Sequence, residues 1–166
     1  GAASARAGNV IGGGDWGADR LVPDCIRALS NHQSIGIRNP HAVRPWQHVL
    51  DAVAGLLLVA QHTARGAVGP DAWNIGPPAG RMMTVGEVAA LAASAWSNDA
   101  RVMHDGVQAF PETYLLTLDS GRARAELGHA EPWDLPQNLA RTMEWYREVL
   151  RGANAWALAR QQIDDY

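Results

Sequence analysis

Three arginines stand in short loop segments where an anion site can form. Arg20 follows a glycine-rich turn, and Arg38 and Arg44 flank the loop Asn39-Pro40-His41. A planar guanidinium group binds two oxygens of a diphosphate at once, whereas a lysine ammonium offers a single point charge. The sequence shows few carboxylates close to these arginines, which favours charge left over for a ligand. A solvated surface arginine is the competing interpretation, and spacing alone favours neither.

Two asparagines extend this candidate site. Asn9 and Asn74 stand at the ends of predicted strands, where an amide side chain binds sugar or phosphate oxygens or simply caps a turn. Trp46, beside Arg44, fits either core packing or stacking on a sugar. These residue types indicate binding of a small polar anion.

Other kinds of chemistry find less support. The six histidines lack the short spacing of a zinc site, so no metal site is predicted. Cys25 lies on the apolar face of a predicted helix and is interpreted as a small buried hydrophobe. All 14 basic residues are arginine, which excludes P-loops, Schiff-base lysines and the Tyr-x-x-x-Lys pair of short-chain dehydrogenases from this chain. Any chemistry of these kinds must therefore be supplied by residues outside this chain.

The run from Gly12 to Gly17 satisfies the pattern G-x-G-x-x-G after a predicted strand. A dinucleotide fingerprint also needs an acidic residue about 20 positions on and a helix that starts within the glycines. Here that later region is Ile37-Arg38-Asn39, and Pro23 places the helix further along. The run is interpreted as a mobile turn that lets backbone approach a ligand, and no cofactor-binding residue is predicted.

Composition narrows the partners. The 166 residues are 47% hydrophobic and 19% charged, which is typical of one compact unit with a core. A net charge of -3 provides no basic stripe for nucleic acid, and no apolar run reaches the roughly 20 residues of a membrane span. A single cysteine and the absence of a signal pattern predict a cytoplasmic location.

Hydrophobic periodicity predicts an α/β fold of alternating short strands and helices. Thr84 to Glu87 forms a capping box, and Asp51 is predicted to cap a helix that runs to Arg65. The predicted strands lie within residues 3–11, 34–37, 44–49, 72–75 and 115–118. The predicted helices lie near residues 20–29, 51–65, 84–96, 119–128, 134–152 and 154–163.

Two long runs carry a resemblance to a known family. Residues 6–16, followed by 19–24, and residues 38–50 closely resemble CDP-glucose 4,6-dehydratases. Shorter matches at residues 72–77, 116–119, 127–128, 144–147 and 162–163 continue it. The resemblance covers essentially the whole chain and corresponds to the carboxy-terminal half of the family protein. We therefore expect a fragment of a larger enzyme.

The resemblance implies an extended short-chain dehydrogenase/reductase. Such a protein binds NAD on an amino-terminal Rossmann domain and the nucleotide sugar on a carboxy-terminal lobe. It converts CDP-glucose to CDP-4-dehydro-6-deoxyglucose and water by oxidation, elimination and reduction. The chain would then be the carboxy-terminal portion of a Rossmann-type fold with the smaller α/β substrate-binding lobe. Residues 1–13 and 48–76 would complete the Rossmann domain, and residues 14–47 and 77–166 would form the lobe.

The resemblance also assigns binding residues. Asn9 and Arg44 match positions that contact the diphosphate, Arg20 matches a basic position of the same loop, and Asn74 matches an asparagine near the nucleotide. The stretch from Ile35 to Arg38, including Ile37, would lie along the base.

The sequence departs from the family at Pro111, where histidine usually precedes the glutamate, and at His129, where tryptophan is usual. NAD would be bound by the missing amino-terminal half, and the intact enzyme is expected to be a homo-oligomer. Two alternatives stay open. One is an epimerase or dehydratase for another nucleotide sugar, and the other is a non-catalytic nucleotide-sugar-binding module.

Overall fold

The computed structural model describes residues 1–66, 71–97, 99–104 and 113–166. Within these ranges, helices and short strands alternate along the chain, as the periodicity predicts. The strands are β1 (Ala3–Ala7), β2 (Asn9–Ile11), β3 (Ile35–Ile37), β4 (Val43–Arg44), β5 (Trp46–His48), β6 (Asp71–Ile75), β7 (Met83–Thr84) and β8 (Val102–His104). The helices are α1 (Leu21–Ser30), α2 (Val49–Ala64), α3 (Val85–Trp96), α4 (Gly121–Leu127), α5 (Leu135–Leu150) and α6 (Ala155–Asp165), with one 3-10 turn at Ala79–Arg81.

The strands pair two by two. β1 lies parallel to β6, β2 parallel to β5 and β3 parallel to β8, whereas β4 and β7 are antiparallel. The extended run predicted over residues 3–11 divides at Gly8. A Cβ atom there would lie 2.2 Å from the Pro45 carbonyl oxygen, so only glycine allows this approach. The Gly8 N–H bonds to Ile75 and the Asn9 N–H to Pro45, which moves the chain from one partner strand to the next.

Two groups of buried apolar residues hold the elements together. The larger packs α1, α3 and α5 around β3 and contains Cys25, which is fully buried. Burial raises the pKa of the Cys25 thiol to about 12, in line with a packing role. The smaller group joins Trp73 and Ile75 of β6 to Val59 of α2 and Ala123 of α4. The predicted division into a Rossmann part and a lobe stays a prediction.

Helix ends follow local chemistry closely. The capping box of Thr84 and Glu87 is confirmed, with the Thr84 hydroxyl accepting the Glu87 N–H at 3.1 Å. Asp134 caps α5 in the same way. Gly128 ends α4 with a φ of +69°, which favours glycine.

The cap predicted at Asp51 is wrong by one turn. α2 starts at Val49 with His48 as its N-cap residue, and the His48 ring nitrogen Nδ1 accepts the Leu50 N–H at 3.3 Å. Asp51 is the third helical residue, and its Oδ2 atom accepts the His48 N–H at 3.0 Å. A carboxylate three residues into a helix reaches back to the cap, so Asp51 completes a capping box rather than starting it.

The prediction of a strand over residues 115–118 is also wrong. This segment forms a single isolated bridge, between Leu115 and Val43. The Val43 N–H bonds to the Tyr114 carbonyl and the Leu116 N–H to the Val43 carbonyl. The next bond of this parallel pairing would come from residue 45, but Pro45 has no N–H, so the pairing stops. β7 and β8 were not predicted, because strands of two or three residues are too short to show an alternating hydrophobic pattern.

None of the helices in the described part of the chain is long and apolar enough to cross a membrane.

Candidate functional site

A pocket of about 500 Å³ opens between β2, the loop before α1, the first turn of α1, β3 and β4. It brings together five of the six residues proposed from the sequence to bind substrate. These residues are Asn9, Arg20, Ile37, Arg38 and Arg44. Their roles as ligand contacts stay predictions, but residues up to 35 positions apart in sequence line one cavity.

Arg44 sits in the wall of this pocket. Its exposed fraction is 8%, so the interpretation as a solvated surface arginine is wrong for this residue. Its Nη1 atom donates to the Val43 carbonyl at 2.9 Å and to the Tyr114 carbonyl at 3.4 Å. Because these acceptors are neutral carbonyls, both bonds orient the guanidinium group without neutralising its charge.

Arg20 and Arg38 stand at the rim and are mostly exposed. Arg20 Nη1 lies 3.0 Å from Asp15 Oδ2, and Arg38 Nη2 lies 3.6 Å from Asp19 Oδ1. The expectation of few neutralising carboxylates is therefore wrong. Asp15 and Asp19 stand within five positions of Arg20 in the sequence, whereas the approach of Asp19 to Arg38, 19 positions later, depends on the fold.

Asp15 is fixed more firmly than its rim position suggests. Its Oδ1 atom accepts the Gly17 N–H at 3.0 Å. That bond, together with Arg20, lowers the pKa of the Asp15 carboxyl below its ordinary value. The Asp15 main-chain carbonyl accepts a hydrogen bond from the Tyr146 hydroxyl of α5. Arg27 of α1 donates to the carbonyls of the next two residues, at 3.2 and 3.0 Å.

The glycine run serves close packing. A Cβ atom at Gly12 would lie 2.6 Å from Val49 Cγ1, and one at Gly13 would lie 2.3 Å from the Trp145 ring. Gly12 borders the pocket. The Trp145 ring, rather than a ligand, packs against Gly13 where a side chain would otherwise lie. α1 begins only at Leu21, so no helix N-terminus points at the run as a dinucleotide fingerprint requires. The run thus lacks the helix placement of a dinucleotide fingerprint, and the expectation that it binds no cofactor stays a prediction.

Apolar side chains form the other part of the wall. Ile35 and Ile37 of β3 are buried and face the pocket together with Val22. Trp46 is also buried, and its Nε1 atom donates to the Met83 carbonyl at 3.1 Å. This bond and its burial support a packing role, while the ring also lines the pocket, so both interpretations of Trp46 stay open.

Asn74 lies outside this pocket. Its Nδ2 atom donates to the Asp119 carbonyl at 3.0 Å and ties β6 to the segment before α4. The neighbouring Trp73 carries the Arg122 guanidinium 3.9 Å from its ring centroid. The structure thus does not group Asn74 with the other five residues.

A second set of polar residues, which the sequence did not single out as a group, is buried around Asp51. Asp51 Oδ1 accepts the Tyr166 hydroxyl at 2.9 Å, and its main-chain carbonyl lies 3.1 Å from His129 Nε2. Burial lowers the pKa of His48 to about 4, so that ring is neutral at pH 7. Burial and the Asp51 charge raise the pKa of Glu131 to about 7. We call Asp51, His48, His129, Glu131 and Tyr166 the buried polar cluster.

Within the described ranges, no three His, Cys, Asp or Glu side chains come together as a metal site requires. His129, where the sequence departs from the family, is buried in the polar cluster. The other departure, Pro111, lies outside the described residues.

The comparisons with known proteins agree with this fold. The chain has the Rossmann-type α/β fold of NAD-dependent epimerases and dehydratases, and residues 1–76 match the model of the NAD dependent epimerase/dehydratase family. Across 167 aligned positions, the whole chain is 40% identical to the CDP-glucose 4,6-dehydratase of Salmonella typhimurium. The expected resemblance to CDP-glucose 4,6-dehydratases is therefore confirmed. The chain spans 46% of the length of that relative.

Solved structures agree on the fold. MoeE5, solved with UDP-glucose and NAD, is 26% identical, with a TM-score of 0.74 over 89% of this chain and 48% of MoeE5. Epimerase Mth375 of Methanothermobacter thermautotrophicus is 26% identical, with a TM-score of 0.75 over 95% of this chain and 44% of its own. At 18% identity, dTDP-glucose 4,6-dehydratase of Bacillus anthracis still gives 0.74 over 88% and 44%.

Proposed function

We propose that residues 1–166 are the substrate-binding half of a CDP-glucose 4,6-dehydratase. The complete protein would convert CDP-glucose to CDP-4-dehydro-6-deoxyglucose and water. In this proposal the pocket between β2, α1, β3 and β4 holds the nucleotide sugar. The similarity to the Salmonella enzyme supports the choice of substrate.

The convergence of Asn9, Arg20, Arg38 and Arg44 on one pocket carries the proposal. Guanidinium groups in that arrangement suit a diphosphate, and an amide suits its oxygens or those of the sugar. Ile37 on β3 offers a buried apolar surface to a base. A cavity of about 500 Å³ falls within the size range of ordinary small-molecule sites.

The cofactor and the acid/base groups belong to residues outside this chain in this proposal. The chain contains no lysine, and its glycine run is occupied by the packing of Gly13 against Trp145. Its own contribution is to bind and orient the nucleotide sugar, which is a large part of catalysis when two groups must react in fixed geometry. We expect the 166-residue chain alone to bind no NADH in a fluorescence titration. Saturable micromolar binding would contradict this.

The test is turnover by the product of the complete reading frame that encodes these residues. We expect CDP-glucose to be dehydrated with a larger kcat/KM than UDP-glucose or dTDP-glucose. Equal values for all three would remove the cytidine preference and leave a dehydratase. Turnover of none, with CDP still bound, would favour a non-catalytic binding module.

A second candidate is an enzyme for a UDP-sugar. MoeE5, at 26% identity, was solved with UDP-glucose, and its fold matches 89% of this chain. A kcat/KM that is highest with a UDP-sugar would favour this candidate.

A further inference from the structure

We infer that Asp15 is a positioning residue, whose carboxylate holds Arg20 in the orientation that meets the diphosphate of the ligand. This inference rests on the proposed function, because it concerns the same pocket. It differs from a direct ligand contact in that Asp15 acts through Arg20.

The charge balance of the pocket makes orientation decisive. Three arginines and three aspartates line it among the described residues, so the formal charge of this described lining is zero. The third aspartate, Asp24, is paired with Arg27. A neutral lining does not attract an anion by its overall field, and affinity then depends on where each guanidinium group points.

Asp15 has the geometry of a support. One carboxylate oxygen is held by the Gly17 N–H at 3.0 Å while the other takes Arg20 Nη1 at 3.0 Å. The backbone behind it is anchored to α5 through the Tyr146 hydroxyl. Arg20 immediately precedes α1, so its main chain is fixed as well. The long side chain between these fixed points is 67% exposed and would otherwise sample many rotamers.

Asp19 provides the matched contrast on the same rim. Its side chain is 85% exposed and lies 3.6 Å from Arg38, which is itself 62% exposed. A longer ion pair between two solvated side chains constrains neither of them strongly. We therefore expect Asp19 to be a replaceable counterion and Asp15 a fixed support.

The experiment measures CDP and cytidine affinity by calorimetry in the full-length protein, with Asp15→Asn, Asp19→Asn, Arg20→Ala and the double variant of Asp15→Asn with Arg20→Ala. Asparagine keeps an oxygen for the Gly17 N–H, so the turn is retained while the negative charge that faces Arg20 is lost. Asp15→Asn should weaken CDP binding about threefold to tenfold, the cost of ordering one long side chain. Cytidine affinity should not change, and Asp19→Asn should weaken CDP binding less than Asp15→Asn does.

The double variant identifies the route of the effect. If Asp15 acts through Arg20, Asp15→Asn adds no further loss once Arg20 is alanine. An equal loss in both backgrounds would overturn the inference, as would unchanged or tighter CDP binding by Asp15→Asn. A drop in cytidine affinity of the same size would mean that the turn itself has changed, which also overturns it. If Arg20→Ala binds CDP as well as the wild type, Arg20 does not contact the diphosphate, and the inference about Asp15 is overturned with it.

Discussion

At the pocket rim, Arg20 and Arg38 keep about two thirds of their side-chain surface in solvent, and they pair with Asp15 and Asp19 respectively. Asp51 at the start of α2, in contrast, is fully buried. An exposed ion pair contributes about 0–1 kcal/mol, so a ligand can replace Asp19, the solvated partner of Arg38, at little cost. A buried carboxylate needs every hydrogen bond that it receives.

This difference separates the two regions by their use of charge. The rim holds arginines whose side chains stay largely in solvent, which suits a site that binds and releases an anion. In the buried polar cluster, Asp51 accepts the His48 N–H and the Tyr166 hydroxyl and so joins α2 to the end of α6. His48 Nε2 and His129 Nδ1 are buried there without a hydrogen-bond partner among the described residues. The following predictions test that division, from the largest expected effect to the smallest.

Arg44 combines a feature of each region, because it lines the pocket and its side chain is buried, although it is not part of the buried polar cluster. Arg44→Ala should weaken CDP binding by about 2–5 kcal/mol, the usual cost of removing one member of a desolvated charge pair. Arg44→Lys should recover part of this loss, since lysine replaces a fork of donors by a point charge. Calorimetry with CDP on the full-length protein and both variants measures it. Equal affinity in all three would exclude Arg44 from the site.

Removing the centre of the buried polar cluster should lower stability strongly. Asp51→Ala leaves the His48 N–H and the Tyr166 hydroxyl without their acceptor, and we expect the free energy of unfolding to fall by about 2–4 kcal/mol. Asp51→Asn keeps one oxygen acceptor and should lose less. Urea unfolding of the three proteins measures this. If the free energy of unfolding of Asp51→Ala fell by less than about 1 kcal/mol, the buried polar cluster would contribute no more to stability than the exposed ion pairs of the rim.

The same cluster should make stability depend on pH. Burial and Asp51 raise the pKa of Glu131 from 4.5 to about 7, against the opposing charges of Arg124 and Arg81. Between these values the native state holds a proton that the unfolded chain has released, so the free energy of unfolding falls as pH rises. We expect a decrease on the order of 1–2 kcal/mol between pH 4.5 and 7.

Glu131→Gln provides the control for this pH effect. Its amide does not titrate, so the difference in unfolding free energy between variant and wild type should change across that window and level off above pH 7. Urea unfolding at a series of pH values measures the difference. A constant difference at every pH would show that Glu131 keeps the same charge in both states.

The rim pair should matter least to stability. Asp19→Asn removes a solvated charge but keeps a residue type that tolerates the left-handed φ of +59° at this position. We expect the free energy of unfolding to change by no more than about 0.5 kcal/mol. Urea denaturation checks this, and a loss above about 1 kcal/mol would show that the rim is as fixed as the interior.

Much of the fold could be predicted because local chemistry controls it. The Thr84 capping box, Gly128 at the end of α4 and the apolar face that contains Cys25 each depend on residues within one or two turns. The strand at residues 115–118 could not be excluded, because its failure depends on the missing N–H of Pro45, some 70 positions away in the chain. Local patterns contain no information about such partners.

The binding residues show the same limit. Arg44 was identified by its residue type and its motif, and it lines the pocket. Its burial and its bonds to Val43 and Tyr114 were not predictable, since they depend on a segment 70 residues later. Asn74 carried the same kind of motif evidence, yet it lies away from the pocket beside Asp119.

The sequence by itself determined the residue types available for chemistry: arginines in loops, no lysine and glycines at close approaches. Only the tertiary structure decided which charges meet, because electrostatic energy depends on distance and burial rather than on order along the chain. Asp15 and Asp19 became partners of the rim arginines through the turn before α1. Asp51, which looks like a helix cap in the sequence, became the centre of a buried cluster because Tyr166, 115 positions later, folds back onto it.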